Sequence, residues 1–333
     1  MSGAPLRIGV LGAARIAPPA VLAPARRSER VEVVAVAARD VGRARRFAEE
    51  HGGLRVAPDY QALVESPDLD AIYVALPAAL HARWTERALR AGKHVLCEKP
   101  FASNAGEAEQ MVAAAVSADR VLMEAFHYRF HPLADRIRAI VTSGELGRIR
   151  AIEGVFTVAI KPGDIRHDLA LGGGGLMDLG CYPVHWARLV AGSEPSVISA
   201  EAVTGEPGVD LVMSAELAFD GPRARIHCSM APGMERRATL RVRGDDGELF
   251  VENPLAPQNG HRMEITGPGG TRVEQVPGAT SYDYQLEAFA AAVLDGGPRL
   301  TGGADAIANM RVIDAIYRAA GMSPRGEGAA ALP

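Results

Sequence analysis

Residues 93–100 read KHVLCEKP, and this stretch decides the fold that the sequence predicts. The apolar run at 94–97 has the length of a buried strand, and Gly92 before it is a typical end of a preceding helix. Because open parallel sheets bind ligands beyond the carboxyl ends of their strands, we expect Glu98 and Lys99 to face a ligand cleft. An arbitrary lysine in such a loop is more often a solvated charge, so the surrounding sequence has to decide.

The N-terminal sequence has the pattern of a strand, a tight turn and a helix. Residues 7–11 form a short apolar run, which is followed by Gly12-Ala13-Ala14-Arg15-Ile16-Ala17. In the dinucleotide-binding fingerprint the first glycine permits the turn, the second lets the main chain approach a pyrophosphate, and the third permits close packing of helix on strand. The second and third positions are Ala14 and Ala17, so the motif is weak by itself. It predicts that residues 12–16 bind a dinucleotide.

The end of the second predicted strand bears on the choice of cofactor. This strand covers residues 31–37 and is followed by Arg39 and Asp40. An acidic side chain at this place binds the ribose hydroxyls of NAD, whereas an arginine accommodates the 2′-phosphate of NADP. Asp40 precedes a helical pattern at 42–51, for which it is a good N-cap. We therefore predict that Arg39 binds the cofactor and that NADP is preferred to NAD.

Strands and helices alternate through the first part of the chain. Further apolar runs lie at 54–57, 71–75 and 121–125, and helical patterns lie at 80–91 and 104–117. This alternation predicts a doubly wound parallel sheet, which makes residues 1–126 an α/β Rossmann domain.

After Arg129 the pattern changes to a helix and then to strands. The helix is predicted near 133–142, and the strand-length runs lie at 155–157, 211–219, 224–230 and 240–243. They predict a second, α+β domain with a largely antiparallel sheet over residues 127–302. Two late helices are predicted at 284–294 and 305–320, and residues 321–333, rich in Gly, Ala and Pro, are predicted to be a flexible tail.

The composition is that of a globular protein of about two domains. The chain has 333 residues, 48% of them hydrophobic and 23% charged, with a formal net charge of −4. This balance offers no positive surface for nucleic acid or an anionic membrane, so we expect neither partner. No uninterrupted apolar stretch is long enough to span a bilayer.

The cysteines and the N-terminus bear on compartment and metal binding. Cys97, Cys181 and Cys228 are odd in number and far apart, which is unlike a disulfide framework and suits a reducing compartment. No CxxC or His/Cys cluster has metal-ligand spacing, so we predict no metal site. The first residues lack the basic segment and apolar core of a secretory signal. We therefore expect a cytoplasmic protein.

Several motifs occur together along the chain. They are DAIYVALP at 70–77, His81, AGKHVLCEKP at 91–100, MEAFHYRFHP at 123–132 and GGGLMDLGCY at 173–182. In order and approximate spacing they resemble the glucose–fructose oxidoreductase, inositol dehydrogenase and rhizopine-catabolism family, Gfo/Idh/MocA. The resemblance implies a nicotinamide-dependent oxidoreductase that acts on sugars, cyclic polyols or similar hydroxyl compounds. It also implies an open-faced sheet in the second domain and a C-terminal helix, residues 303–320, that packs back on the first domain.

An open-faced sheet exposes apolar surface unless a partner covers it, and family members commonly build subunit contacts there. We therefore expect a homodimer or homotetramer, with the strand at 211–219 contributing to the contact.

The resemblance also implies which residues surround the ligands. Besides residues 12–16 and Arg39, the implied cofactor contacts are Leu76, Pro77, His81, Glu98, Lys99 and Arg129. Family members often carry asparagine after Pro77, where this chain has Ala78. The implied substrate contacts are Arg166 and His167. His185, three positions after Tyr182 on the same helical face, is a further candidate, for which a partly buried structural role is slightly favoured.

The proton-transfer group is expected near Asp178 and Tyr182. They are four residues apart and share one face of a helix, in which Pro183 predicts an irregular first turn. Many inositol dehydrogenase-like members have histidine in place of Tyr182, whereas the dihydrodiol and xylose dehydrogenase-like branch, which this sequence resembles, has tyrosine. The implied roles are Tyr182 as proton acceptor in oxidation and donor in reduction, Lys99 as its electrostatic activator, and Asp178 as an orienting carboxylate. Lys99 and Tyr182 could exchange roles.

The resemblance further implies a cis bond between Lys99 and Pro100, with Lys99 and Asp178 or Tyr182 facing one pocket. Two other functions stay open. One is a ketoreductase acting on a nucleotide-linked sugar, and the other is a sensor that binds NADP without turnover. Because a sensor does not need a proton-transfer set, the presence of Lys99, Asp178 and Tyr182 favours an enzyme.

Overall fold

The computed structural model describes residues 4–206 and 208–327. Contacts divide the chain into two compact units, the first formed by Met1–Phe130 with Ser281–Ile307 and the second by His131–Thr280 with Ala308–Pro333. We had predicted the first domain to be residues 1–126, with the helix at 303–320 packing back on it. Residues 281–307 join it because Leu286, Phe289 and Ala290 are buried in the core of the first unit.

The described helices and strands are as follows. The helices are α1 (Ala23–Ala25), α2 (Val41–Glu50), α3 (Tyr60–Val64), α4 (His81–Arg90), α5 (Ala105–Ala118), α6 (Pro132–Thr142), α7 (Cys181–Ala191), α8 (Ser281–Leu294) and α9 (Ala304–Ala319). The strands of the first unit are β1 (Leu6–Leu11), β2 (Val31–Ala37), β3 (Arg55–Val56), β4 (Ala71–Val74), β5 (His94–Cys97) and β6 (Leu122–Glu124). Those of the second are β7 (Ile149–Thr157), β8 (Ser196–Gly205), β9 (Val209–Ala218), β10 (Arg223–Ser229), β11 (Arg237–Gly244), β12 (Glu248–Glu252), β13 (Arg262–Gly267) and β14 (Gly270–Glu274).

The first unit is a doubly wound parallel sheet, as predicted. Its strands lie in the order β3-β2-β1-β4-β5-β6, and every pair is parallel. The helices begin where short polar side chains cap them: Asp40 accepts a hydrogen bond from the amide of Arg43, and Asn104 from that of Glu107. The Asp40 cap confirms the sequence-based expectation. The sheet order places the carboxyl ends of β1 and β4 side by side at the crossover point.

The second unit contains an eight-stranded, mostly antiparallel sheet, which confirms the predicted fold class. Its order is β14-β13-β12-β11-β7-β10-β9-β8, with β7 and β10 as a parallel pair. One face packs against α7 and the π-helical turn Leu176–Gly180. On β9 this face buries Met213, Ala215 and Leu217, which alternate with Ser214 and Glu216 on the opposite face.

The end of the chain differs from the sequence-based expectation. Met310, Ile313 and Ile316 are fully buried on α9, as their spacing predicted. On the same helix Asn309 bonds to Arg188 and Tyr317 bonds to Asp210. Arg325, which we had placed in the flexible tail, is 4% exposed and paired with Asp210. Residues 328–333 of that predicted tail lie outside the described residues.

A surface ion-pair network holds the last hairpin of the second unit. Glu274 on β14 accepts hydrogen bonds from Arg136 on α6 at 2.8 Å, and Arg272 bridges Glu274 and Glu145. The hydrogen bond from Arg136 lowers the pKa of Glu274 to about 2, with a further contribution from Arg272. The carboxylate therefore stabilises the fold above its ordinary pKa near 4.5, and this stabilisation is lost as the pH falls towards about 2.

We expect Glu274→Gln to flatten the acid limb of stability between about pH 5 and pH 2. The measurement is the urea midpoint of the wild type and the variant across this range. Glu264→Gln on β13 serves as the control, since Glu264 also pairs with an arginine, Arg262. Parallel acid limbs for all three proteins would contradict this role of Glu274.

Candidate active site

The loop after β1 is built for close approach of main chain to main chain. Gly12 has φ +102°, and a Cβ there would lie 2.3 Å from the carbonyl oxygen of Ala75. Only glycine fits both the left-handed backbone and this contact. The Gly12 amide donates to Ala37 at 2.8 Å, so the loop is fixed against the carboxyl end of β2. Residues 12–16 therefore occupy the strand ends where a dinucleotide was predicted to bind.

The end of β2 presents a cation rather than an acid. Asp40 is engaged as the N-cap of α2, because its Oδ1 accepts from the amide of Arg43 at 2.6 Å. The Arg39 side chain is exposed. The main-chain amide of Arg39 donates a hydrogen bond to the hydroxyl of Tyr60 at 3.0 Å. Arg43 donates to the carbonyl oxygen of Ala13 at 2.8 Å. These contacts leave Arg39 as the side chain of this group that is available to a phosphate.

His81 ties two of the predicted cofactor loops together. It is 1% exposed, with Nδ1 2.9 Å from the carbonyl oxygen of Pro100 and Nε2 2.8 Å from that of Leu76. Burial lowers the pKa of His81 more than the two carbonyl groups raise it, so the neutral ring donates to one of them at a time. The structure therefore places His81 between the loops after β4 and β5, where it positions Leu76 and Pro77.

Glu98 and Lys99 stand at the carboxyl end of β5, as predicted. The hydroxyl of Tyr73 donates to Glu98 at 2.6 Å, and the Lys99 amide donates to the same carboxylate at 3.2 Å. Burial, followed by the charge of Glu98, raises the pKa of Tyr73 well above its ordinary value, so its proton stays on the hydroxyl. The Lys99–Pro100 bond is cis, which confirms that expectation.

The turn after β6 adds buried polar groups to this end of the first unit. His127 is 5% exposed, its Nδ1 lies 2.8 Å from the hydroxyl of Ser281, and its ring packs 4.2 Å from that of Tyr282. Burial, and then the positive charge of Lys99, lowers the pKa of His127 to about 3. Arg129 is buried in the same turn. His127 is therefore neutral and within electrostatic reach of Lys99.

In the second unit the predicted substrate residue Arg166 forms an ion-pair cluster with Asp164 and Asp178. Nε of Arg166 donates to Asp178 at 2.6 Å, and Nη1 donates to Asp164 at 3.0 Å. The charge of Asp178 is the largest cause that raises the pKa of Arg166. Nε2 of His167 lies 3.2 Å from the carbonyl oxygen of Ile160. The structure therefore brings Arg166 and Asp178 together, whereas His167 is held by the main chain of its own loop.

Tyr182 and His185 lie at the start of α7. Tyr182 is 5% exposed and packs edge-on against Phe156 at 5.8 Å, while His185 is 3% exposed. The irregular turn that Pro183 predicted is present as the π-helical turn Leu176–Gly180, which carries Asp178 and runs directly into α7.

Two residues near the cofactor loops were missed by reasoning from the sequence. Arg43 was assigned no role, yet it bonds to Ala13. Tyr60 was assigned no role, yet it holds the amide of Arg39. Arg43 could have been noticed because it follows the capping Asp40 by three residues, about one helical turn. No local signal points to Tyr60.

Two family models match consecutive parts of this chain. Residues 6–126 match the model described as the oxidoreductase family, NAD-binding Rossmann fold, and residues 134–250 match the GFO/IDH/MocA C-terminal domain. The chain belongs to the Gfo/Idh/MocA family of oxidoreductases. It is therefore an NAD(P)-dependent enzyme that acts on CH–OH groups, which confirms the predicted enzyme class.

Three relatives of this oxidoreductase are informative. A D-xylose 1-dehydrogenase (NADP+) of Haloferax volcanii is 37% identical and covers 95% of this chain and 97% of its own. A dTDP-3,4-didehydro-2,6-dideoxy-alpha-D-glucose 3-reductase of Actinomadura kijaniata is 35% identical and covers 94% of this chain and 95% of its own. A trans-1,2-dihydrobenzene-1,2-diol dehydrogenase of Xenopus tropicalis is 32% identical and covers 80% of this chain and 82% of its own.

Solved structures of a 3-ketoreductase from Actinomadura kijaniata have the same fold as this oxidoreductase. The complex with NADP and TDP-benzene has a TM-score of 0.88 and 33% identity, covering 95% of this chain and 98% of that one. Other structures of that reductase carry a tyrosine replaced by phenylalanine or a lysine replaced by alanine.

The residues at the strand ends fit a nicotinamide nucleotide. Gly12 lets β1 approach β4, Asp40 is occupied as a helix cap, and Arg39 is the exposed cation at the end of β2. Within the described ranges no group of three or more His, Cys, Asp or Glu side chains could hold a metal ion. Among the same residues, none of the helices has the length and apolar composition needed to cross a membrane.

Proposed function

We propose that this oxidoreductase interconverts a hydroxyl and a carbonyl group on a sugar, cyclic polyol or diol, with NADP as the preferred cofactor. The observation that carries the proposal is the polar cluster of Tyr73, Glu98 and Lys99 beyond the carboxyl end of β5. Open parallel sheets bind their ligands at this edge. The xylose and dihydrodiol dehydrogenase relatives support a hydroxyl compound as substrate.

Lys99 supplies positive charge where an alcohol has to lose a proton. Glu98 fixes the main chain of Lys99, and Tyr73 fixes Glu98, so the lysine side chain leaves from a rigid backbone. An ammonium group favours the ionised form of a neighbouring hydroxyl. The bound nicotinamide supplies or accepts the hydride. In our proposal Lys99 donates a hydrogen bond to the substrate oxygen and favours the alkoxide.

Tyr182 and Asp178 are proposed as the partners of Lys99 in this chemistry. As the phenolate that the Lys99 charge favours, Tyr182 accepts the hydroxyl proton during oxidation, and as the phenol it returns this proton during reduction. Asp178 orients the substrate, and Arg166 holds the Asp178 carboxylate through a 2.6 Å hydrogen bond. A carboxylate held by a guanidinium keeps one orientation. Arg166 is therefore proposed to set the direction in which Asp178 accepts hydrogen bonds.

A nucleotide-linked sugar is the second candidate substrate. It is favoured by the sugar-nucleotide 3-reductase of Actinomadura kijaniata, which is similar over 94% of this chain. The two candidates are separated by measuring NADPH oxidation with a nucleotide-linked ketosugar beside NADP reduction with free aldoses and diols. If the enzyme turns over only the nucleotide-linked sugar, that compound replaces the free sugar as the proposed substrate.

Arg39→Ala is expected to raise the KM for NADP by about tenfold or more and to leave the KM for NAD nearly unchanged. The reason is that the exposed Arg39 side chain pairs with the 2′-phosphate, which NAD lacks. Initial rates with each cofactor measure the effect. Arg45→Ala on the exposed side of α2 is the matched control and should alter neither constant. Equal effects of Arg39→Ala on both cofactors would contradict this role.

The open face of the second sheet is proposed to join copies of the chain. We had predicted apolar surface here, but the face carries a row of alternating charges across four strands, Glu216, Arg225, Glu153 and Arg241. When a second copy faces this row after a half-turn that reverses the direction of its own row, each charge lies opposite a charge of the other sign on the partner. We therefore propose a dimer, or two such dimers in a tetramer, in a cytoplasmic enzyme with buried free thiols.

Light scattering across a dilution series is expected to show a species of at least two 35.1 kDa chains at low salt. Because salt screens exposed charges, the association should weaken at high ionic strength. Arg225→Glu, which places like charges side by side in the row, should weaken it at any salt concentration. A single chain under all of these conditions would remove the proposal.

A further inference from the structure

A buried ion pair connects the C-terminal segment to the glycine run that precedes Asp178. The guanidinium of Arg325 pairs with the carboxylate of Asp210, and the two side chains are 4% and 0% exposed. Nε of Arg325 donates a second hydrogen bond, 2.8 Å long, to the carbonyl oxygen of Gly173. A buried ion pair adds little net stability compared with apolar packing, so its presence calls for another physical reason.

Asp210 holds the same segment from the other side. Its Oδ2 accepts a 2.7 Å hydrogen bond from the amide of Leu176, and its Oδ1 accepts one of 3.0 Å from the hydroxyl of Tyr317. The main chain from Gly173 to Leu176 is therefore fixed at both ends by one pair of charges. Leu176 is the first residue of the π-helical turn that carries Asp178.

The glycine between these two anchor points has no room for a side chain. Gly174 has φ +143°, and a Cβ there would lie 2.2 Å from Oδ1 of Asp210 and 2.9 Å from Nη2 of Arg325. The Gly174 amide donates to the carbonyl oxygen of Arg166 at 3.0 Å, and its own carbonyl accepts from the Asp178 amide at 3.0 Å. The main chain held by the buried pair thus bonds directly to both members of the Arg166–Asp178 ion pair.

We propose that Arg325 is a positioning residue for the substrate site: by fixing Gly173 to Leu176, it sets the placement of Arg166 and Asp178. The inference rests on the proposed role of Asp178 in orienting the substrate. Arg325 suits this task because one planar guanidinium reaches a carboxylate and a carbonyl oxygen at once. A lysine keeps the charge but has no fixed fork of donors, so it cannot hold both acceptors in the same geometry.

The first test compares Arg325→Lys with the control Arg318→Lys. Arg318 is an exposed arginine on α9 that pairs with Glu327. We expect Arg325→Lys to raise the KM for the sugar, or lower kcat, by about tenfold or more while the KM for NADP stays within about twofold. Arg318→Lys should change none of these constants. If Arg325→Lys leaves the KM for the sugar and kcat unchanged in folded enzyme, Arg325 is a stabilising residue only and the proposal is wrong.

A second variant, which leaves no unpaired charge in the buried site, is used if Arg325→Lys folds poorly. Arg325→Met combined with Asp210→Asn leaves no unpaired buried charge, and the asparagine oxygen can still accept from Leu176. Gly173 nevertheless loses its donor. We expect the double variant to fold and to show the same change in the sugar kinetics, whereas kinetics like those of the wild type would overturn the proposal.

Hydrogen exchange in the full chain separates this inference from the proposed function, because it needs no substrate. The amides of Gly174, Leu176 and Asp178 should exchange faster in both Arg325 variants, while those of the central strands β7 and β11 keep their protection. Unchanged exchange at 174–178, or an equal increase throughout the unit, would contradict the positioning role. If no sugar is turned over by the wild type, the proposed function fails and this measurement still decides the anchoring by Arg325.

Discussion

Lys99→Met and Tyr182→Phe are each expected to lower turnover by about 100-fold or more, which is the usual scale of lost proton-transfer catalysis. Lys99 is the cation at the end of β5, and Tyr182 carries the hydroxyl proposed to move the proton. Neither change alters the Gly12 loop or Arg39, so NADP affinity should stay nearly intact. Initial rates, NADP titration and the melting temperature together measure this pattern.

Two matched substitutions control for the chemistry of the changes themselves. Lys161→Met removes another lysine, in an exposed loop of the second unit, and Tyr284→Phe removes a hydroxyl on α8. Both should retain turnover close to that of the wild type. If turnover on the true substrate survives Lys99→Met and Tyr182→Phe, the assigned proton-transfer set is wrong.

Breaking the Arg166–Asp178 pair should have the next largest effect. Asp178→Asn and Arg166→Met are each expected to lower kcat/KM for the sugar by about 100-fold. Asp178 is the main cause of the raised pKa of Arg166, so Asp178→Asn removes the principal counter-charge of Arg166, and Arg166→Met removes the guanidinium that donates to Asp178 at 2.6 Å. The two side chains act as one unit in our account, which makes their effects non-additive.

A double-mutant cycle tests that coupling directly. The Arg166→Met, Asp178→Asn double variant should be about as slow as either single variant. Asp168→Asn in the neighbouring turn is the control, because asparagine can keep the hydrogen bond from the Ala170 amide. Independent, additive losses would show that Arg166 and Asp178 contact the substrate separately.

The first unit was predictable because local patterns there agree with the final packing. The seven residues of β2 and the four of β5 coincide with the predicted strands, since both strands are apolar runs between turn residues. Asp40 was identifiable as a cap from its place before a helical pattern. In such segments the buried face, the cap and the turn all give the same answer.

The second unit was less predictable because several of its strands are exposed or polar. All but one of the residues of β14 are exposed, and β8 alternates small or polar side chains without a strong apolar period. Their pairing depends on neighbouring strands rather than on their own sequence. The prediction of an apolar open face on β9 was also wrong, because this face carries Glu216, which pairs across the sheet with Arg225.

The site was predictable only where a motif carries it. Four site residues lie in family motifs, namely Glu98, Lys99, Asp178 and Tyr182. The residues that hold them in place lie far away along the chain. Arg325 was assigned to a flexible tail from its Gly- and Pro-rich surroundings, yet its partner Asp210 is 115 positions away along the chain. A long-range charge pair leaves no local pattern, so only the folded chain reveals it.

The most direct test of the central claim measures the absorbance of reduced nicotinamide in both directions of the reaction. The purified chain is incubated with NADP and aldoses, cyclic polyols or diols, and separately with NADPH and the carbonyl counterparts of these compounds. We predict turnover of at least one such compound by the wild type, with NADP favoured over NAD, and its loss in both Lys99→Met and Tyr182→Phe. Tight NADP binding with no turnover of any compound in either direction would instead indicate a non-catalytic sensor and contradict the account.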